Sequence, residues 1–496
     1  AAETFLQLDP PLDSVFIREQ IAKWARNARR GENAPREGYE FYDVTAWSLP
    51  VAFGVDAWAL ESLPDVQTEP VRPAGDGRAL AGSGYWADEL AFDPGLAAGV
   101  RGAVAGADAA DGPAFAYSAI DERGGRDGAD PVAVRARSAY VWTPDSEGAI
   151  RLAARLMREG FEVATSTGPL VVGERDFPRG SFVARVSRNP DRIHERIDAL
   201  ARDAGVPVVA THTAFAARGD TGTGSNAVLG LDAPRVAVIA DEGVRVTEYG
   251  AVWFTLERRL GYSFTPLRID GLLRTDLDDY DVIVLPSVSA EAVARALDES
   301  GVDALEGWMR RGGTLITWGG GARFAMDREL TTASIVDPGR PDSARVEELI
   351  AAIDALPQDR GPAPPITSPT ANPAAPQPVP GANLLARLDL THWLTMGFDE
   401  AALPVLVEGV AFVAPSERGA NPVAFPADEG DLRLAGFTWP GNTDRLLRGA
   451  AWAVVEPFGR GQVVLFQTDP NHRLVWRATS RLFANALLLG PTLGAR

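Results

Sequence analysis

The chain has 496 residues, 46% hydrophobic and 23% charged, a globular composition long enough for roughly three domains. Its 67 acidic and 48 basic side chains leave a formal charge of −19; that argues against a nucleic-acid or anionic-membrane surface, and no apolar run reaches the ~18 residues a membrane span needs. The absence of Cys excludes disulfides, Cys-ligated zinc, iron–sulfur clusters and thiol nucleophiles in this chain, and four His (His194, His212, His392, His472) leave little for a His-rich metal site.

From the N-terminus, residues 9–60 read as one unit. Val15, Phe16, Ile17, Ile21 and Trp24 have helical spacing through 14–30, and Arg26, Arg29 and Arg30 suit the negative end of that helix. Residues 64–135 are rich in Gly, Ala and Asp and predict short strands and long loops. The region 1–135 is thus expected to be an irregular α+β region. A small α/β domain is expected over 136–215. Its strands are 138–143, 161–165, 181–187 and 206–210. Its helices are 146–159, with Ile150, Leu152, Leu156 and Met157 on one face, and 191–204, with Ile193, Ile197 and Leu200.

Residues 216–232 contain Arg218-Gly219-Asp220-Thr221-Gly222-Thr223-Gly224-Ser225-Asn226 and read as a linker. A second α/β domain is expected over 233–496, with a doubly wound, mostly parallel sheet. Strands 236–240, 264–268, 281–286 and 314–318 alternate with helices 248–260 and 289–311, and Gly319-Gly320-Gly321 opens another helix. A Pro-rich insertion interrupts this domain at 340–381, with nine prolines in 357–381. Beyond it, 403–407 and 410–413 read as strands, 451–456 and 462–466 as an antiparallel pair, and 474–489 as a helix.

The residues that chemistry requires are sparse. No H-x-x-E or H-E-x-x-H occurs, and His194-Glu195 are adjacent, so on a helix they diverge by about 100° and do not share an ion. The strand-turn-helix at 314–323 is where a nucleophile elbow would sit, but its turn is Gly319-Gly320-Gly321, without a reactive side chain. A Gly-rich turn at a helix start is suited either to cradling an anion or to close helix–strand packing. Asp469-Pro470-Asn471-His472 follows a strand and, with Asp241 and the Gly triplet, would line the crevice at the carboxyl ends of the strands. Asp241, Gly319, Gly320, Gly321, Asp469, Asn471 and His472 are therefore the candidate ligand-binding residues. No catalytic or metal residue is assigned.

Several phrases carry a resemblance. Val15-Phe16-Ile17-Arg18-Glu19-Gln20 and Tyr42-Asp43-Val44-Thr45-Ala46-Trp47-Ser48-Leu49-Pro50 with Phe53-Gly54-Val55 resemble a segment C-terminal to the catalytic domain of large bacterial zinc carboxypeptidases of the carboxypeptidase A-like family. The tail Asp469-Pro470-Asn471-His472-Arg473, Trp476-Arg477, Arg481-Leu482-Phe483 and Leu488-Leu489-Gly490-Pro491 looks like the C-terminus of those proteins, with His472 where an aromatic is expected. Strands 235–240 and 281–286, followed by Gly312-Gly313-Thr314-Leu315, look like their class I glutamine amidotransferase-like domain, whose Cys would fall near Gly320.

The resemblance implies a non-catalytic C-terminal portion of an exported zinc carboxypeptidase-like protein, extracellular, periplasmic or at the cell surface. Zinc is expected only in a catalytic domain outside this chain, so no cofactor is expected here. Expected partners are that catalytic domain or a second copy, with a peptide or protein substrate; nucleic acid and a membrane span are not expected. The start at Ala1, without an initiator Met, fits a removed signal peptide, an artificial start, or a proteolytic fragment or processed product of a longer polypeptide. Two rival readings are a self-assembling surface protein and a small-ligand binder at the sheet crevice.

Overall fold

The computed structural model describes residues 135–216, 218–219, 221–336, 378–427, 432–436, 438 and 443–494, together with Lys23 and Arg26. The expected N-terminal α+β region up to residue 134 and the Pro-rich segment 337–377 lie outside the described residues, apart from Lys23 and Arg26.

From residue 135 the first described element is strand β1 (Ala139–Trp142), every residue of which is buried. Helix α1 (Glu147–Arg158) follows. Ser146 caps it by accepting from the Ala149 N–H at 3.1 Å, Glu147 sits in its first turn, and Arg155 and Arg158 sit in its last, so caps and dipole agree with the sequence. Ser146→Ala is expected to cost about 1 kcal/mol, read as a lowered midpoint in chemical denaturation. Strand β2 (Ala164–Ser166), the β3–β4 hairpin (Leu170–Val172 and Arg175–Phe177) and β5 (Phe182–Arg185) lead to helix α2 (Ile193–Ala204), closed by Gly205 in the left-handed region. Strands β6 (Val209–Thr211) and β7 (Val228–Gly230) complete a sheet in the order β6-β1-β5-β2-β7, and its pairings are antiparallel.

The expected linker 216–232 is corrected in its second half. Val228–Gly230 pairs with β2, Thr223 is buried, and the Arg185 guanidinium donates to the carbonyls of Thr223 (2.9 Å) and Val228 (3.0 Å). Glycine content marked a turn there, and the backbone after the turn found a strand edge to pair with.

Strand β8 (Val236–Ile239) opens the large sheet. Helix α3 (Val246–Trp253) continues as a π-helical stretch, Phe254–Leu260, ending at Gly261. Strand β9 (Thr265–Leu267) and β10 (Val282–Leu285) follow. The single helix expected over 289–311 is two, α4 (Ala290–Ala296) and α5 (Glu299–Arg311), because the Asp298 side chain caps α5 from the Gly301 N–H. Strand β11 (Thr314–Trp318) runs directly into helix α6 (Gly319–Asp327).

After residue 378 come β12 (Val379–Leu388), β13 (Ala402–Gly409), β14 (Ala420–Ala424) and β15 (Arg433–Gly436). The short helix α7 (Thr443–Leu447), the β16–β17 pair (Ala451–Phe458 and Gly461–Phe466), and helices α8 (Arg477–Leu488) and α9 (Gly490–Leu493) complete the chain. The strand expected at 410–413 reduces to isolated bridges of Val413 with Ile335 and Ala451.

The class is α/β, but the expectation of a mostly parallel sheet is corrected. The ten-stranded sheet runs β13-β12-β14-β16-β17-β11-β10-β8-β9, with β15 beside β12. Five strands, β9-β8-β10-β11-β17, are mutually parallel. From β16 outward the pairings are antiparallel. The reason lies in connection length: β16 and β17 are joined by Gly459-Arg460, and a two-residue loop permits only antiparallel neighbours.

Side chains alternate across the parallel half. Val282 and Val284 join one apolar cluster with Val252, Leu256, Leu482 and Phe483, while Ile283 and Leu285 join another with Leu305, Trp308 and Phe324. Helices therefore cover both faces. The first cluster also takes in Tyr140, Trp142, Leu152 and Ile197 of the smaller sheet and its helices, so the two sheets share one core.

An ion network ties the same junction. Arg259, 9% exposed, donates to Glu147 at 2.8 and 2.6 Å, and Arg477 donates to it at 2.7 Å. Burial raises the Glu147 pKa, but the guanidinium donors outweigh that and hold it at about 2. An acid whose folded pKa is depressed stabilises above its unfolded value, here 4.5, and loses that contribution as pH falls toward 2. Glu147→Gln is expected to cost about 2 kcal/mol at neutral pH. That is below the 3–5 typical of a broken buried pair because Glu147 is 38% exposed. The variant's deficit should shrink on acidification, and an equal deficit at all pH values would contradict the pairing.

Candidate functional site

Four of the parallel strands release their loops at one edge, where open α/β sheets place ligands. After β8 comes Asp241, after β10 Ser287 and Val288, after β11 the Gly triplet, and after β17 the turn Asp469-Pro470-Asn471-His472. The N-cap and first turn of α3 add Arg245 and Glu248, and the end of β13 adds Glu408.

Asp241 is occupied by backbone. Its Oδ2 accepts from the Ile269 N–H at 3.0 Å and its Oδ1 from the Glu242 N–H at 2.8 Å, with Arg268 3.5 Å away. It closes the loops after β8 and β9. None of its hydrogen bonds reaches the Gly triplet or the 469–472 turn.

The Gly triplet is a packing device. Gly319 has φ +55°, which an L side chain rarely adopts. A Cβ on Gly320 would lie 1.9 Å from the Val288 carbonyl oxygen, and one on Gly321 would lie 2.5 Å from Thr317 Oγ1 and 2.9 Å from the Leu285 carbonyl oxygen. The start of α6 thus lies against the carboxyl end of β10, and Ser287 Oγ accepts from the Gly320 N–H at 3.3 Å. Of the two uses open to this turn, close helix–strand packing is the one the geometry satisfies.

Asp469, Glu248 and Glu408 make the electrostatic feature of this edge. Asp469 is 5% exposed and its Oδ1 accepts from the Asn471 N–H at 2.8 Å. Burial drives its pKa well above the usual carboxylate range, and the charges of Glu248 and Glu408 push the same way. Glu248 is 7% exposed. Its Oε2 accepts from Trp318 Nε1 at 2.7 Å and from the Ser287 N–H at 3.1 Å, while Arg245 lies 3.3 Å from both Glu248 and Glu408. Burial raises Glu248 too, and these donors only partly offset it. Glu248 therefore joins the ends of β10 and β11 to the start of α3.

Asn471 is fully buried. Its Oδ1 accepts from Ser480 at 2.9 Å and Thr255 at 3.3 Å, and its Nδ2 has no hydrogen-bond partner among the described residues. His472 is half-buried, and its N–H donates to the Asp469 carbonyl at 3.3 Å. Arg473 and Leu474 follow with φ of 48° and 63°, a strained pair for non-glycine residues.

Of the other histidines, His194 Nδ1 lies 2.7 Å from the Tyr140 hydroxyl. His392 Nδ1 accepts from the Leu394 N–H at 3.1 Å and caps the turn Trp393–Thr395. Burial pushes its pKa down to about 4, so its ring is a neutral structural acceptor at ordinary pH.

The structure thus brings Asp469 and Asn471 into a buried polar cluster and leaves Asp241 and the glycines in structural roles. Glu248, Arg245 and Glu408 escaped the sequence reading. A Glu in a helix's first turn is ordinary, and only the fold brings Trp318 and Asp469 to it. Among the described residues, no three His, Asp or Glu side chains form a group able to hold a metal, and no helix is long and apolar enough to cross a membrane.

No family model matches the sequence, and no curated protein matches it. Among solved structures, the β-galactosidase from Bacillus circulans sp. alkalophilus is 11% identical, with 51% of this chain and 31% of that one covered, at a TM-score of 0.28. A cytoplasmic protein from Salmonella typhimurium is 10% identical, with 51% and 97% covered, at 0.31. An exo-β-1,4-mannosidase from Opitutaceae bacterium strain TAV5 is 12% identical, with 52% and 36% covered, at 0.28. The chain spans about a third of the length of the two glycosidases. Likenesses of this size carry no argument, and function rests on the site itself.

Proposed function

We propose that this chain is the non-catalytic accessory portion of an exported zinc carboxypeptidase-like protein, built around a degenerate glutamine amidotransferase-like domain. The observation that carries this reading is the strand-turn-helix at β11 and α6. In a nucleophile elbow the reactive side chain stands on that turn, in a strained left-handed conformation. Here the residue with positive φ is Gly319, and Gly320 behind it is pressed against the Val288 carbonyl. The turn keeps an elbow's shape and offers no nucleophile. Two features support the doubly wound assignment for the parallel half: its strand order, 2-1-3-4-5 when counted along the chain, and helices on both faces.

On this reading the chain packs against a catalytic domain, self-associates or holds a peptide or protein substrate. Zinc belongs to that separate domain, and no step is routed through a metal in this chain. Purified recombinant chain supplied with zinc is expected to release no C-terminal amino acids from peptides and to hydrolyse no glutamine. Mass mapping of native material is expected to find co-purifying peptides that carry H-x-x-E. Carboxypeptidase turnover at an enzyme-like rate by the chain alone would overturn the reading.

A further inference from the structure

A groove of about 560 Å3 lies at the opposite edge of the sheet, at the amino ends of β8, β9 and β10 where the last turn of α1 meets them. Its floor is apolar: Met157, Pro234, Val236 and the ring of Tyr262 are buried there, and the Tyr262 hydroxyl is already spent on the Pro234 carbonyl at 2.8 Å. Two further rings, Phe264 and Tyr280, are only half-buried and form walls. The rim is polar. Arg158 is exposed, and among the described residues its guanidinium makes no ion pair or hydrogen bond and the Ser263 and Thr265 hydroxyls have no partner; the Asp279 carboxylate is 72% exposed with Arg235 only at 4.0 Å. An apolar floor with a few convergent polar groups is the usual build of a small-molecule site, and the volume is in its range.

We propose that this groove binds a neutral carbohydrate. A pyranose presents a flat C–H face to an aromatic ring and vicinal hydroxyls at its edge, and those hydroxyls match a planar carboxylate and guanidinium, which accept and donate in pairs. The aromatic walls supply the first element, and Asp279, Arg158 and the two free hydroxyls supply the second.

Two observations favour this ligand over others. A peptide laid along β9 would need outward backbone donors. Leu267 faces inward, because its carbonyl accepts from the Ala240 N–H at 2.8 Å, so the outward residue is Pro266, which has no N–H. An anion would find no free net positive charge there, because Arg235 is already paired with Asp281 at 2.9 Å and the remaining charges of the lining, Arg158 and Asp279, are opposite; a neutral sugar needs none. The groove is also independent of the carboxyl-edge crevice, so the inference does not depend on the accessory-domain reading.

Calorimetric titration of the full chain with maltose, cellobiose and N,N′-diacetylchitobiose tests it. At least one disaccharide is expected to bind saturably in the millimolar range or tighter. Asp279→Ala, which removes an exposed carboxylate without touching the core, is expected to weaken that binding about tenfold. Tyr280→Ala removes a wall and is expected to abolish it. Any one of three results overturns the proposal: no saturable binding of the three sugars, binding that survives both substitutions, or an acidic peptide that binds the groove more tightly than any of them.

Discussion

Gly320→Ala is expected to destabilise the protein by about 3 kcal/mol or more, although alanine is the better helix former by roughly 1 kcal/mol. The added Cβ would lie 1.9 Å from the Val288 carbonyl oxygen and 2.9 Å from its carbon. These are backbone atoms of the loop that leaves the central strand β10, bridged there to Val244, so no rotamer change relieves the contact. The helix must retreat from β10, and the Gly320 hydrogen bond to Ser287 goes with it. Small-molecule binding at the crevice is therefore poorly tested by enlarging Gly320, since the fold fails before the ligand is excluded. Gly250→Ala is the internal control: nothing lies within 4 Å of its added Cβ, and its place within α3 predicts a gain of up to about 1 kcal/mol. Chemical denaturation of the two variants checks both signs. Equal stabilities would contradict the close approach.

Asp469→Asn should stabilise the protein at alkaline pH and do little in acid. The acid is buried among like charges, with Glu248 and Glu408 on the neighbouring elements and Arg245 bridging those two. Its folded pKa lies well above its unfolded value of 3.8, so the native state binds the proton more tightly. By linkage, stability then falls as pH rises above the unfolded value, and it goes on falling until the folded group ionises. Asparagine keeps an oxygen for the Asn471 N–H and carries no charge. A gain of about 1–3 kcal/mol at high pH is expected, the usual cost of a buried polar group left without full compensation. It should vanish near the unfolded pKa. Parallel stability–pH profiles for the two proteins would show that Asp469 is not the titrating group.

Both predictions rest on residues the sequence had singled out. Gly319–Gly321 read as a tight turn with close helix–strand packing, an anion cradle being the alternative, and the Val288 carbonyl against Gly320 fits the packing. Asp469 read as a ligand contact; in the fold it is buried, and burial with the charge of Glu248 holds its pKa well above the usual carboxylate range. Glu248 itself carried no signal.

What the sequence determined by itself is local. Ser146 and the apolar positions 150, 152, 156 and 157 define α1, and the uninterrupted apolar runs 236–239 and 282–285 define buried strands, because caps and periodicity act over one or two turns of chain. The tertiary structure alone decided which strands pair and in what direction. Strand β12 contains Pro380 and Gly381, which mark a break in any local reading, yet it is held by β13 on one side and by β14 and β15 on the other. The partner strands supply the hydrogen bonds that offset its poor propensity, and that energy comes from residues distant in sequence. The same holds for the site: a carboxylate's charge state follows from burial and from neighbours that only the folded chain brings near.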